Sequence, residues 1–212
     1  MTTGHVDGPL EQWAQALIHS RQTVLPKRLS APGPDARQLE MIVGAAAAAP
    51  DHARLLPWRF VLVPQAARAA LADAFEHALV LRDPLALAAQ REQAREKAFR
   101  APLLLLAVVR LAGGADPATD FDEAREVPDA ERIVSAGCAI QNMLLMATAL
   151  GFGSSLTSGK ALQSAPLRKL FGLGPHEQAL CFVNVGTPGQ RKPGRVRPAP
   201  AQYLSTLEPP AP

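Results

Sequence analysis

The sequence predicts one α+β domain, in which helices surround a small sheet of apolar strands. The chain has 212 residues, of which 48% are hydrophobic and 19% charged, a balance typical of a globular domain with a sizeable core. Three short apolar runs have the length and flanks of strands, and stretches with helical spacing separate them. No repeat and no low-complexity linker divides the chain, so we assign residues 1–212 to a single domain.

The first half of the chain alternates between helix, loop and strand. Residues 10–21 carry apolar side chains at helical spacing, and the proline-rich stretch 22–34 is predicted to be a loop. Asp35 is a candidate N-cap for a helix over 36–48, because its carboxylate can accept a hydrogen bond from the first turn. Alternating apolar residues then predict a strand over 58–64. We expect the second helix to bury Leu39, Ile42, Val43 and Ala46.

The second half begins with alanine-rich helices and ends with a strand and a proline-rich tail. The predicted elements are helices over 65–80 and 85–99, a buried strand over 101–110, a loop over 111–127, a helix over 128–150, a short helix over 164–171 and a strand over 178–188. We expect residues 1–9 to be flexible and the tail, 189–212, to extend and pack on a partner subunit.

Charge, cysteine content and polarity exclude several classes of protein. The net charge of +3 allows an anionic ligand, but the basic tail lacks interleaved aromatic residues, so no nucleic acid partner is expected. Cys138 and Cys181 lie in apolar runs and are expected to be buried, reduced thiols. The N-terminal residues lack the features of a signal peptide, which favours a cytoplasmic protein. Residues 133–152 are apolar, yet Gln141 and Asn142 favour a buried helix over a membrane span.

The sequence lacks the common motifs of covalent and metal catalysis. It has no HExxH motif and no P-loop lysine, and its five histidines are scattered without metal-binding spacing. The stretch GFGSSL lacks the third glycine of a dinucleotide-binding motif, and a predicted helix rather than a strand precedes it. We therefore assign no catalytic side chain, and we expect a bound cofactor to carry the chemistry if the protein is an enzyme.

Three short stretches are candidates for ligand contact. SRQT (20–23) offers a guanidinium and a hydroxyl suited to phosphate, or its charge complements the C-terminal dipole of the first helix. GFGSSLTSG (151–159) combines glycines with hydroxyls that can bond a polar heterocycle, or it forms an ordinary helix-to-strand turn. APDHARLLPW (49–58) places Asp51 and His52 at a joint that either faces a ligand or is a simple turn.

The order and spacing of these motifs resemble the FMN-dependent nitroreductase family, above all its small bacterial YdjA-like branch. The resemblance covers residues 10–195 and rests on SRQT, APDHARLLPWRFVLV, FRAPLLLLAVV, SAGCAIQNMLLMATALGFGSS and VGTPGQRKP in this succession. It implies an α+β sandwich with a central, mostly antiparallel sheet flanked by helices, and an intertwined homodimer with FMN at its interface. It also implies that NAD(P)H passes hydride to the flavin, which passes electrons to a nitroaromatic or quinone-like acceptor at the same site.

The resemblance implies a phosphate-binding set as well. Arg21, Gln22 and Thr23 match the family segment that binds the FMN phosphate, the ribityl chain and the pyrimidine edge, and Thr23 keeps the hydroxyl of the usual serine. Lys27 or Arg28, in the following VLPKR (24–28), meets the phosphate, and the resemblance does not decide which. Lys192 matches a basic phosphate ligand near the C-terminus.

The resemblance implies contacts to the flavin ring from two places in the chain. His52 matches a histidine that reaches the flavin from the other subunit. Leu156, Thr157 and Ser158 match the segment that lies against the isoalloxazine, and Gly159 follows them. Close relatives carry Trp-Arg in place of Leu156-Thr157, so substrate choice is expected to differ. A flavin-storage protein without useful turnover remains the alternative function.

Overall fold

One antiparallel sheet organises the structure, a computed structural model that describes residues 8–113, 127–189 and 196–208. Its strands within these ranges are β1 (Leu29–Ser30), β2 (Trp58–Leu62), β3 (Leu103–Arg110), β4 (Gly153–Thr157) and β5 (Glu177–Pro188). The strand order is β1-β5-β3-β2, and β4 also pairs with β5. Each of these strand pairings is antiparallel, which confirms the sheet that the resemblance implies.

Helices cover both faces of this sheet. Those described are α1 (Gly8–Ser20), α2 (Ala36–Gly44), α3 (Arg68–Arg82), α4 (Ala88–Glu96), α5 (Asp129–Ala149) and α6 (Ala165–Leu170). Gly151, which follows α5, has a φ of +85°, a conformation that glycine adopts without steric cost. The predicted long helix over 128–150 is therefore confirmed, together with its stop.

The central strand β3 is buried on both faces, which explains its uninterrupted apolar sequence. One face, which includes Leu103 and Leu105, packs with α2 and α5 in the larger hydrophobic cluster. The opposite face, which includes Leu104 and Leu106, packs with α3 and α6 in a second cluster. Two cores on either side of one sheet give the α+β sandwich that the sequence predicts.

The start of α2 confirms the predicted N-cap. The backbone N–H of Gln38 donates to Asp35 Oδ1 at 2.8 Å, and the Gln38 side chain accepts from the backbone N–H of Asp35 at 3.0 Å. This reciprocal capping box satisfies two N–H groups that the first helical turn leaves unpaired. Ile42 is fully buried as expected. The predicted helix 36–48 is shorter, however, because Ala45–Ala48 tightens into a 3₁₀ turn.

Two strands lie where the sequence predicts loop or turn. β1 interrupts the predicted loop 22–34, and β4 occupies most of the stretch 151–159. Their glycine and serine residues have low strand propensity, and they are extended because β5 supplies a hydrogen-bonding edge to both. A Cβ on Gly153 would lie 2.9 Å from Leu29 Cδ2 and 3.0 Å from Pro188 Cβ, so a larger residue here would displace its neighbours.

The first helix buries none of its residues within the protomer. Leu10, Trp13 and Ile18 are 57%, 72% and 54% exposed, although they lie at helical spacing. Residues 8 and 9 begin this helix, and the other residues of the segment 1–9 lie outside the described ranges. The helix thus presents an apolar face that its own chain leaves uncovered.

The cysteines and the long apolar helix behave largely as the sequence predicts. Cys181 is buried, and burial raises the pKa of its thiol to about 11. Cys138 is only half-buried, which corrects the expectation of full burial, and both thiols are free. Among the helices in the described ranges, α5 included, none combines the length and hydrophobicity that a membrane crossing requires.

Candidate functional site

A cleft of about 480 Å³ opens beside the end of β4, between β5, α3 and α4. Thr157, Ser158 and Gly159 line it, as do the apolar side chains of Phe75 and Phe182. A Cβ on Gly159 would meet no atom within 4 Å, so this position faces open space. The cleft therefore joins an apolar wall to hydroxyl and backbone groups, a composition typical of small-molecule sites.

The polar side of the cleft is held by Asn184, which sequence reasoning missed. Its side chain is 2% exposed and donates to Thr157 Oγ1 at 3.0 Å and to the carbonyl of Ser155 at 3.2 Å. These hydrogen bonds cross from β5 to β4 and fix the end of β4 where the cleft begins. The sequence contains a signal for this residue, because Asn184 is a lone asparagine inside a predicted apolar strand.

The segment 21–23 lies at the start of the same strand. Thr23 forms a parallel bridge with Ser154, and the backbone N–H of Val24 donates to the carbonyl of Ser154 at 2.9 Å. Pro26 continues this segment and lines the cleft. The fold thus brings two stretches together that are far apart in sequence. Arg21, Gln22, Thr23 and Leu156 themselves do not line the cleft of their own protomer.

The C-terminal tail touches the same segment. Arg197 donates from Nη2 to the backbone carbonyl of Arg21 at 2.8 Å. This contact lies within one chain, whereas the tail was expected to pack on a partner. Lys192, the phosphate ligand that the resemblance implies, lies outside the described residues. The part of the tail that is described therefore reinforces the position of Arg21.

The charged residues that line the cleft are all basic. Its four basic residues are Arg82, Lys97, Arg100 and Lys160, and no aspartate or glutamate lines it. Arg100 has a distant acidic neighbour, since its Nη2 lies 3.8 Å from Glu96 Oε2. Sequence reasoning missed these cations because they come from the end of α3, from the α4–β3 joint and from the turn after β4. Such a lining favours an anionic ligand.

A buried arginine fixes the joint that carries two of these cations. Arg68 is 1% exposed and donates to the carbonyls of Val63 at 3.0 Å, Ala98 at 2.6 Å and Pro102 at 3.2 Å. Burial lowers the pKa of its guanidinium, because a charge is less stable away from water. Ala98 and Pro102 flank Arg100, and Lys97 precedes them. Arg68 therefore determines where Lys97 and Arg100 project.

His52 lies in a strained turn away from this cleft. Ala53, Arg54 and Leu56 have φ values of 55°, 53° and 44°, which non-glycine residues rarely adopt. Asp51 Oδ2 accepts a hydrogen bond from the backbone N–H of Leu56 at 2.8 Å and thereby closes the turn. His52 Nδ1 lies 2.8 Å from Glu131 Oε2 at the start of α5. Asp51 thus holds the turn, and Glu131 holds the ring.

A sequence profile of the nitroreductase family matches residues 18–187, which is most of the chain. The chain belongs to the nitroreductase family. It is 32% identical over 176 residues to YdjA of Escherichia coli strain K12, which is named as an NAD(P)H nitroreductase, and the match covers 82% of this chain and 87% of YdjA. Family membership and the likeness to YdjA make the chain an enzyme of the oxidoreductase class.

Solved structures of the nitroreductase fold resemble this chain over most of its length. A nitroreductase-like family protein from Bacillus cereus superposes with a TM-score of 0.75 at 18% identity, covering 98% of this chain and 99% of that protein. Iodotyrosine deiodinase bound to FMN and 3-iodo-L-tyrosine gives a TM-score of 0.62 at 21% identity, covering 87% and 95%. These likenesses confirm the nitroreductase-like fold.

A second cavity, of about 490 Å³, lies at the far end of the sheet of this nitroreductase-family protein. Arg59 and Glu177 line it and form a bidentate ion pair, with Nε–Oε1 and Nη2–Oε2 distances of 2.6 and 2.9 Å. Unlike the cleft, this cavity has a carboxylate in its lining that offsets a cation, although Arg110 adds a second guanidinium. No cluster of side chains that could hold a metal ion occurs in the described ranges.

Proposed function

We propose that this nitroreductase-family oxidoreductase is an FMN-dependent enzyme that takes electrons from NAD(P)H and passes them to a nitroaromatic or quinone-like acceptor. FMN would be held in the cationic cleft beside Thr157, Ser158 and Gly159, and both half-reactions would use one site in turn. The name of YdjA, an NAD(P)H nitroreductase, supports the electron donor and the acceptor class. The FMN bound in iodotyrosine deiodinase, which shares the fold, supports the cofactor.

The proposal rests on the chemistry of the cleft, which fits FMN. FMN is an anion with a polar, amide-like ring edge and a flat apolar ring. The four cations of the cleft, without any lining carboxylate, suit the anion. The hydroxyls of Thr157 and Ser158 suit the polar edge, and the aromatic walls of Phe75 and Phe182 suit the ring. The volume of about 480 Å³ is within the usual range for cofactor sites.

The residues of the chain bind and orient rather than react. Bound FMN would supply the redox chemistry, which is acceptance of hydride from NAD(P)H and delivery of electrons to the acceptor. Asn184 holds Thr157 in place, and the backbone N–H groups of Ser158 and Gly159 can donate to a ring acceptor. Arg21, Gln22 and Thr23 are proposed to extend the binding site toward the phosphate from the start of β4, with Lys192 as a further ligand. Phe75 and Phe182, which line the cleft, would limit the access of water to bound FMN.

We also propose that the protein acts as a homodimer. The apolar face of α1, which includes Trp13 and Leu10, is exposed within the protomer and suits contact with a second chain. Leu204 and Leu207 of the tail, 72% and 93% exposed, add to this uncovered apolar surface. His52 and Leu156 would then contact FMN held mainly by the other protomer. The mass in solution, measured by light scattering, is expected to be that of two chains.

The visible spectrum of the purified protein tests the proposed function. We expect a yellow protein whose flavin absorbance bleaches when NADPH is added without oxygen and returns when a quinone is added. A yellow protein that NADPH leaves unchanged would favour the flavin-storage alternative. A protein that stays colourless after incubation with FMN and desalting would contradict both functions.

A further inference from the structure

The contact between His52 and Glu131 has no obvious role in stability. The two side chains are 67% and 51% exposed, and ion pairs between exposed groups contribute little to the free energy of unfolding. The contact nevertheless joins residues that are 79 positions apart, at a Nδ1–Oε2 distance of 2.8 Å. A well-formed contact without a stability role suggests that it orients the ring.

The partner of Nδ1 determines which ring nitrogen is left for a ligand. Glu131 lies in the first turn of α5, where the helix dipole favours a negative charge. An ionised carboxylate can only accept hydrogen bonds, so Nδ1 must carry the proton that it donates. In the neutral ring, Nε2 is then the unprotonated nitrogen and faces away from Glu131 as an acceptor.

The surrounding turn keeps the ring from moving away. Asp51 Oδ2 closes the turn through the backbone N–H of Leu56, whose carbonyl accepts from Arg110 Nη2 at 3.2 Å. Leu55 is buried and packs with Val127, which lies just before α5. Left-handed backbone at three non-glycine residues persists only where neighbouring contacts enforce it. The backbone and Glu131 therefore restrict the ring together.

We infer that Glu131 is a positioning residue for His52: it fixes the Nδ1–H tautomer and aims Nε2, as an acceptor, at a donor on the ring edge of a flavin held by the partner protomer. This inference rests on the proposed function, in which His52 contacts FMN. Glu131 touches neither FMN nor the acceptor and acts only through the imidazole.

The tautomer can be measured without any flavin. Long-range ¹H–¹⁵N correlation spectra at a pH at which the ring is neutral report the protonated nitrogen, and His52→Ala identifies the signal. We expect the Nδ1–H form in the full-length wild-type protein and a change to the Nε2–H form, which free imidazole side chains prefer, in Glu131→Ala. Glu131→Gln should retain much of the Nδ1–H form, because its amide oxygen still accepts. Glu40→Ala, an exposed change on α2, is the matched control and should change nothing.

The rate of FMN release from the holoprotein, followed by the rise in flavin fluorescence, tests the effect on the ligand. Glu131→Ala and His52→Ala should each accelerate release about three- to tenfold, as loss of one hydrogen bond predicts. The double variant should release FMN no faster than His52→Ala, because Glu131 acts only through the ring.

Two results would overturn the inference. One is an unchanged His52 tautomer in Glu131→Ala, at any rate of FMN release. The other is a double variant that releases FMN faster than His52→Ala, since Glu131 would then act by another route. A wild-type protein that holds no FMN would overturn the proposed function and the ligand half of this inference together. The spectra would then still show whether Glu131 fixes the ring, so the two failures are distinguishable.

Discussion

Two cavities of almost equal volume, about 480 and 490 Å³, lie near opposite ends of β3 and differ in how their charges are matched. Leu104 lines the cleft and Arg110 lines the second cavity, six residues or about 20 Å farther along the strand. In the second cavity Arg59 is paired with Glu177. In the cleft, four cations occur without a lining carboxylate. Volume alone therefore does not distinguish the two cavities, whereas the carboxylate in the lining of the second cavity does.

The largest effect is expected from the residue that holds the cleft cations in place. Arg68→Met would leave the carbonyls of Val63, Ala98 and Pro102 without a donor, at a cost of about 3 kcal/mol in the free energy of unfolding. Urea-induced unfolding at fixed protein concentration measures it, with the exposed Arg37→Met as control. An unfolding midpoint equal to that of the control would show that the buried guanidinium does not organise the joint.

The next largest effect concerns the phosphate end of the proposed site. Arg21→Ala should weaken FMN retention about tenfold, because charge-assisted hydrogen bonds to phosphate are strong. Arg197→Ala should have a smaller effect, since Arg197 bonds to the carbonyl of Arg21 and only supports its position. Arg37→Ala on α2 is the remote control. FMN dissociation constants for the three variants measure the order, and equal values would remove Arg21 from the site.

The third-largest effect is expected from a direct comparison of FMN binding when one cation of each cavity is removed. Lys97→Ala, in the cleft, should weaken FMN binding about threefold to fivefold, the effect expected of one partly exposed charge. Arg59→Ala, in the second cavity, should leave FMN binding unchanged while lowering stability slightly. Fluorescence titration with FMN checks both. If Arg59→Ala weakened FMN binding as much as Lys97→Ala does, the assignment of the ligand to the cleft would be wrong.

The smallest effect is a pH dependence in the second cavity. Hydrogen bonds from Arg59, and then from the backbone of Gly174, hold the pKa of Glu177 below its ordinary value of 4.5. A lowered folded-state pKa adds stability above the unfolded-state value, and this stability is lost as the pH falls through the folded-state value. Because Arg59 is 42% exposed, the contribution should stay below about 1 kcal/mol.

Thermal melts of wild type and Glu177→Gln between pH 3 and pH 7 should therefore differ most at neutral pH and converge on acidification below pH 4.5. Melting temperatures whose difference stays constant across this range would show that the carboxylate charge does not stabilise the fold. The charges of the second cavity would then be no better compensated than those of the cleft. The contrast in charge between the two cavities would be weaker.

Elements with a local signal can be predicted from the sequence alone. The capping box at Asp35 and Gln38 depends on residues three positions apart, so its pattern predicts the start of α2 correctly. The apolar run of β3 and the glycine that follows α5 are equally local. The succession of short motifs also indicates the nitroreductase family. It predicts candidate ligand contacts that include Ser158 and His52.

Features that depend on distant partners become visible only in the folded protein. β4 is a strand because β5 offers it a hydrogen-bonding edge, although its sequence is typical of a turn. Lys97 and Lys160 share one cleft because Arg68 and β5 fix separate loops. Glu131 meets His52 across 79 residues of chain. Such contacts arise from the packing of elements far apart in sequence, and no local pattern encodes which residues that packing brings together.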